Sequence, residues 1–128
     1  DPGASRAGVL DMRHMSFALT TKEVVHRQKT VTRRTGWLFL KPGDLIQAIE
    51  KGQGLKKGEH VRKLSLIRVV SVRREPLSRI LADVAYGHEE IRKEGGKWPA
   101  PIDFVEMYCD ANQCLKHEPV TRIEFEYV

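Results

Sequence analysis

The stretch LSLIRVVSV, residues 64–72, decides the fold class. It is long, β-branched and largely apolar, which marks a central strand, and Arg73-Arg74-Glu75-Pro76 ends it. The C-terminal run 120–128 is its natural companion. There Ile123, Phe125 and Tyr127 face one way while Arg122, Glu124 and Glu126 face the other, the alternation of a half-buried strand. Upstream, LIQAI at 45–49 reads as a further strand between the turn Pro42-Gly43-Asp44 and the glycine-rich start of 51–63. Residues 15–19 predict a short strand. Thr20 and Glu23 then stand at capping-box spacing for a short helix. Residues 29–34 predict another strand. Helices are expected at 88–93 and, behind Pro101, at 101–109, with Ile102, Val105 and Cys109 on one stripe and Phe104 and Tyr108 beside it.

Five or six strands with two or three short helices do not alternate in the manner of a doubly wound parallel sheet. The expectation is an α+β domain: a small, mostly antiparallel barrel with helices packed on its side. Residues 1–14, DPGASRAGVLDMRH, show no periodicity and end in His14-Met15, a dipeptide that a common cloning site encodes. They read as an irregular vector-derived remnant ahead of a single domain over 15–128. No apolar run approaches the roughly 20 residues of a membrane span, and no signal peptide follows Met15, so a cytoplasmic protein away from membranes is expected. A monomer is the simplest oligomeric expectation.

Charge is distributed unevenly. Residues 22–34 carry five Lys or Arg against Glu23, and residues 51–74 carry eight against Glu59, whereas residues 82–128 carry ten acidic side chains against five basic. A basic first half in a small domain points to a polyanion, most simply nucleic acid. The glycine-containing segment 51–63 reads as a basic loop, with Lys56, Lys57, Arg62 and Lys63 as candidate backbone contacts.

Familiar catalytic signatures are lacking. There is no phosphate-binding glycine loop and no nucleophile elbow. Cys109, Cys114 and His117 fall short of a four-ligand zinc set, so free thiols, no metal and no cofactor are expected. His26, His60, His88 and His117 read as surface residues. Attention therefore falls on QKTVTRRTGW, residues 28–37. Lys29, Arg33 and Arg34 can contact phosphates, with Thr30 and Thr32 as hydroxyl partners. A desolvated Lys29 among cations could instead act as a base toward Thr32. In a regular strand, residues 29 and 32 lie on opposite faces, so that pairing needs a bend. On the residues alone, phosphate contact is the favoured reading. Among Trp37, Trp98, Tyr86 and Phe17, Trp98 is the preferred base-stacking platform and Trp37 is assigned to the core.

The run Lys29-Thr30-Val31-Thr32-Arg33-Arg34, the Pro42-Gly43-Asp44 turn, the strand 64–72, the segment around Glu94 and the strand 121–127 occur in an order similar to that of the ASCH domain. That family belongs to the PUA-like barrel group, and the resemblance covers nearly the whole chain from Met15. It implies a barrel whose cleft is lined by the Lys-Thr-x-Thr-x-Arg strand and a protein that binds RNA or a modified nucleobase or nucleoside. It also implies a second possibility, since some small members look like amidohydrolases acting on N4-acylated cytidine. By match of motif, Lys29, Thr32 and Glu94 take the catalytic places and Arg34 the arginine place, with Glu89 and Glu90 near enough to compete with Glu94. The chain departs from those enzymes in its basic loop 51–63 and in a longer segment over 95–101. Three functions follow in order: binding of RNA or a modified nucleoside, deacylation of N4-acylated cytidine, and ribonuclease activity. A protein-binding adaptor stands behind them.

Overall fold

The computed structural model describes residues 12–128. Residues 1–11, most of the stretch read as a remnant, lie outside the described residues. Strand β1 (His14–Ser16) leads through a 3₁₀ turn (Ala18–Thr20) into helix α1 (Thr21–Val25). Strands β2 (Val31–Arg34), β3 (Leu45–Ile49) and β4 (Lys63–Pro76) follow. Three helices come next, α2 (Arg79–Ala82), α3 (Val84–Lys93) and α4 (Pro101–Asn112), and β5 (Pro119–Tyr127) closes the chain. His14 already pairs with Gln47, and the Arg13 carbonyl accepts from the Gln47 amide. Ordered structure therefore begins before Met15, because an edge ladder needs only backbone groups.

The five strands form one sheet in the order β1-β3-β4-β5-β2, with β1 parallel to β3 and every other pair antiparallel. The 14-residue β4 is central, as its composition predicts. Its register against β5 shifts between Val69 and Ser71. This bulge lets Val69 and Val72, three positions apart, contact the same core while Val70 turns outward.

The sheet is open, and this corrects the closed barrel expected from the strand count. Among the described residues no ladder joins the two edge strands β1 and β2. Closure would have to run past Phe17, where the chain leaves the extended conformation for the 3₁₀ turn. A side chain spans the gap instead: Arg34 Nη2 donates to the Ser16 carbonyl at 2.7 Å. Four helices are present where two or three were expected.

Two apolar cores flank the sheet. One gathers Met15, Phe17, Val24, Ile46, Ile67, Val69, Ile123 and Phe125. The other lies between the helices and the end of the β4–β5 ribbon, and holds Leu77, Ile80, Ile91, Phe104, Val105, Tyr108 and Val120. Each fully buried side chain of this size contributes about 1.5–3 kcal/mol. Gly87 lets α2 and α3 meet, because a Cβ there would lie 2.1 Å from the Ile80 carbonyl oxygen.

Local expectations are corrected in three places. The buried stripe of α4 is Phe104, Val105 and Tyr108, while Ile102 is 44% exposed, so the helix is turned by a few residues from the expected face. Arg122 does not face water but is buried on the helix side of β5. Thr20 makes no side-chain cap; the Thr21 hydroxyl bonds the Phe17 carbonyl instead. No described helix is long and apolar enough to cross a membrane.

Candidate functional site

The bend that Lys29 requires comes from the end of α1. Arg27 adopts φ 58°, and the Glu23 carbonyl accepts from both the Gln28 and Lys29 amides. The chain turns tightly there, and the regular strand begins only at Val31. Lys29 is thereby released from strand alternation, and its side chain lines the same pocket as Thr32.

Opposite it, α3 ends at Lys93, and Gly95 and Gly96 leave with positive φ. This exit frees the Glu94 carbonyl. Lys29 Nζ donates to that carbonyl at 2.8 Å and to Glu94 Oε1 at 2.6 Å. Gly95 also admits the side chain of Glu23, whose Cγ would sit 3.0 Å from an added Cβ.

Along β2, side chains alternate. Thr32 and Arg34 share one face, and Arg34 Nε donates to Thr32 Oγ1 at 3.0 Å. The Arg34 guanidinium also lies 4.7 Å from the centre of the Phe17 ring. Arg33 is buried toward α3, where it donates to Glu94 Oε2 at 3.0 Å and to Glu90 Oε1 at 2.6 Å. Glu90 in turn accepts from Arg122 Nε at 2.5 Å and Nη2 at 3.1 Å. Glu75 stands 3.6 Å from Arg33 and is held by Arg73 and the Tyr86 hydroxyl. The result is a buried ionic layer between the two cores.

The charges within the layer are strongly coupled. Burial pushes the Lys29 pKa below its ordinary value, Glu94 opposes that shift, and Arg34 and Arg33 reinforce it. Burial also pulls Arg34 down to about 10. For Arg33, burial works against the charge, but Glu94 and Glu90 outweigh it and raise the pKa. Glu90 shows the converse: burial favours its neutral form, yet Arg122 and Arg33 hold its pKa at about 2.

A pocket of about 240 Å³ opens on this layer. Its floor carries Lys29, Thr32, Arg33, Arg34 and Glu94, and its walls come from the 3₁₀ turn and from α4 through Met107, Tyr108, Ala111 and Asn112. Five residues singled out in the sequence therefore meet in one place. Of the three competing glutamates, Glu94 lines the pocket. Glu89 lies on the surface against Arg92, and Glu90 is committed to the ionic layer.

Other sequence candidates fall elsewhere. Thr30 is half-buried and engaged through its backbone, donating to Lys93 O and accepting from the Phe125 amide. Lys56, Lys57, Arg62 and Lys63 are exposed and do not line the pocket. Trp98 is not a free stacking surface: it is half-buried, edge-on to Phe104 at 4.8 Å. The half-buried thiols of Cys109 and Cys114 lie 3.9 Å apart. The sequence alone does not reveal Tyr108 and Asn112 as pocket residues, because Tyr108 reads as part of an apolar helix stripe and a lone Asn near a helix end carries no signal.

No family model matches the chain, and no curated protein matches it. Among solved structures, the chain is similar to the crystal structure of protein EF3133 from Enterococcus faecalis V583, described as family-model DUF984. The TM-score is 0.59 at 17% sequence identity, covering 91% of this chain and 80% of that one. At that identity the likeness establishes a shared fold.

Proposed function

We propose that the chain is a small amidohydrolase acting on an acylated cytosine nucleoside of the N4-acylcytidine type, as its resemblance to ASCH proteins suggests. The observation that carries the reading is the 2.6 Å bond between Lys29 Nζ and Glu94 Oε1 inside a pocket that Thr32 also lines. Backbone contact by a basic strand calls for cations that face outward. Here Lys29 and Arg33 are each 3% exposed and turned inward.

The chemistry follows from the groups present. Arg34 donates to Thr32 Oγ1, so the hydroxyl keeps its own proton to give, and a developing alkoxide is stabilised. The lowered pKa of Lys29 increases its neutral fraction, the form that accepts the Thr32 proton. Thr32 Oγ1 then bonds to the amide carbonyl carbon. The C–N bond breaks, and the leaving amino group takes a proton from Lys29. Water cleaves the resulting ester, releasing the carboxylic acid and restoring the threonine. Glu94 orients Lys29 through its carboxylate and its backbone carbonyl.

The test is release of cytidine from N4-acetylcytidine by wild type, Lys29→Ala and Glu94→Gln, with circular dichroism to confirm the fold. Wild type should turn over, and Lys29→Ala should lose at least about 100-fold in kcat/KM. Absence of release by wild type would overturn the reading.

A further inference from the structure

Among the described residues, two buried side-chain polar atoms have no hydrogen-bond partner in the protein, the Tyr108 hydroxyl and Arg33 Nε. Both residues line the same pocket. Buried polar groups are nearly always paired, and an unpaired one destabilises the fold. Arg33 turns its guanidinium toward Glu90 and Glu94, so the Tyr108 hydroxyl is the unpaired donor that marks where a ligand's acceptor atom belongs.

Tyr108 is the more informative of the two. It is 4% exposed, and its ring packs against Phe104 within the helical core. A phenylalanine would fill that space without the unpaired hydroxyl, so packing alone does not account for the oxygen. The hydroxyl lies within electrostatic reach of Glu94, Arg34 and Arg33 in the pocket floor, and of Cys114. Burial, with Cys114 and Glu94 acting in the same direction, raises its pKa, so it remains a proton donor. The other cationic donors already have partners: Lys29 is held by Glu94, and Arg34 by Thr32 and Ser16.

We propose that the Tyr108 hydroxyl donates a hydrogen bond to the carbonyl oxygen of the bound acyl group and stabilises it as an oxyanion. The inference rests on the amidohydrolase reading of this pocket. When Thr32 Oγ1 adds to the carbonyl carbon, the C=O π pair moves onto oxygen, and the Tyr108 O–H faces that charge without giving up its proton. When the C–N bond breaks, the pair returns and the carbonyl is restored.

The test is Tyr108→Phe, which deletes one oxygen and keeps the ring. Thermal unfolding without ligand should occur at the same temperature as wild type or higher, since an unpaired buried group has been removed. Cytidine release from N4-acetylcytidine should fall roughly 10- to 100-fold, in kcat more than in KM, because the bond strengthens as charge develops. A lower unfolding temperature with unchanged kcat/KM would make the hydroxyl structural and overturn the inference while leaving the amidohydrolase reading intact. If wild type releases no cytidine, that reading fails and equilibrium binding of N4-acetylcytidine decides the rest. Several-fold weaker binding by Tyr108→Phe keeps the hydrogen bond to the carbonyl, whereas equal binding, or none by wild type, removes it.

Discussion

Two basic stretches of this chain place their charge in opposite surroundings. In 29–34, Lys29 and Arg33 are buried, and Glu94 and Glu90 neutralise them at 2.6–3.0 Å. In 51–63, Lys56, Lys57, Arg62 and Lys63 stand in water, and Arg62 pairs at the surface with Glu50. The difference arises from what covers each segment. Helix α3 closes over β2 and brings two carboxylates one helical turn apart, whereas the basic side chains of the glycine-containing loop stay exposed among the described residues. Two basic runs in one sequence therefore carry different meanings. Buried cations are tied to one geometry and can serve chemistry, while exposed ones contribute to a diffuse field.

Breaking the buried side should have the largest effect. Glu90→Gln leaves Arg33 and Arg122 without their shared carboxylate, and a loss of about 3–5 kcal/mol is expected, read as a fall in Tm of more than about 10 °C. Retention of wild-type Tm would mean that the layer is not what joins α3 to the sheet. Acid offers a gentler probe of the same contact. The Glu90 pKa is about 2 in the folded protein against 4.5 for the free group. Its contribution is complete above pH 4.5 and disappears as pH falls toward about 2, a loss on the order of 3 kcal/mol. Urea unfolding across that range measures it, and the slope should flatten in Glu90→Gln.

The exposed side should barely respond. Lys56→Ala with Lys57→Ala should change stability by less than about 0.5 kcal/mol and leave cytidine release unaltered. Arg62→Ala removes a surface pair and should cost less than about 1 kcal/mol. A fall in turnover on loss of the loop lysines would bring that loop into the site and erase the contrast.

Much of the architecture is legible in local pattern. The β-branched run of β4, the alternation in β5 and the Pro101 start of α4 each depend on near neighbours in the chain. What pattern does not reveal depends on contacts between distant residues. The left-handed Arg27 that frees Lys29 leaves no trace in composition. The inward face of Arg122 is set by Glu90, 32 positions away. Between the two edge strands the contact is a side chain, Arg34, reaching the Ser16 carbonyl from 18 positions away. In the pocket, Lys29, Thr32, Arg34 and Glu94 could be named from the spacing of a known motif. Tyr108 could not, since its unpaired hydroxyl exists only once α4 has docked.

The most direct test of the buried-site account is the rate of cytidine release from N4-acetylcytidine at about 50 mM and about 200 mM salt. Fields from exposed charges are screened over this range, and those within a buried, internally neutralised site are screened much less. The account predicts turnover that changes by less than about twofold between the two conditions. No turnover, or a rate that falls by tenfold or more, would contradict it.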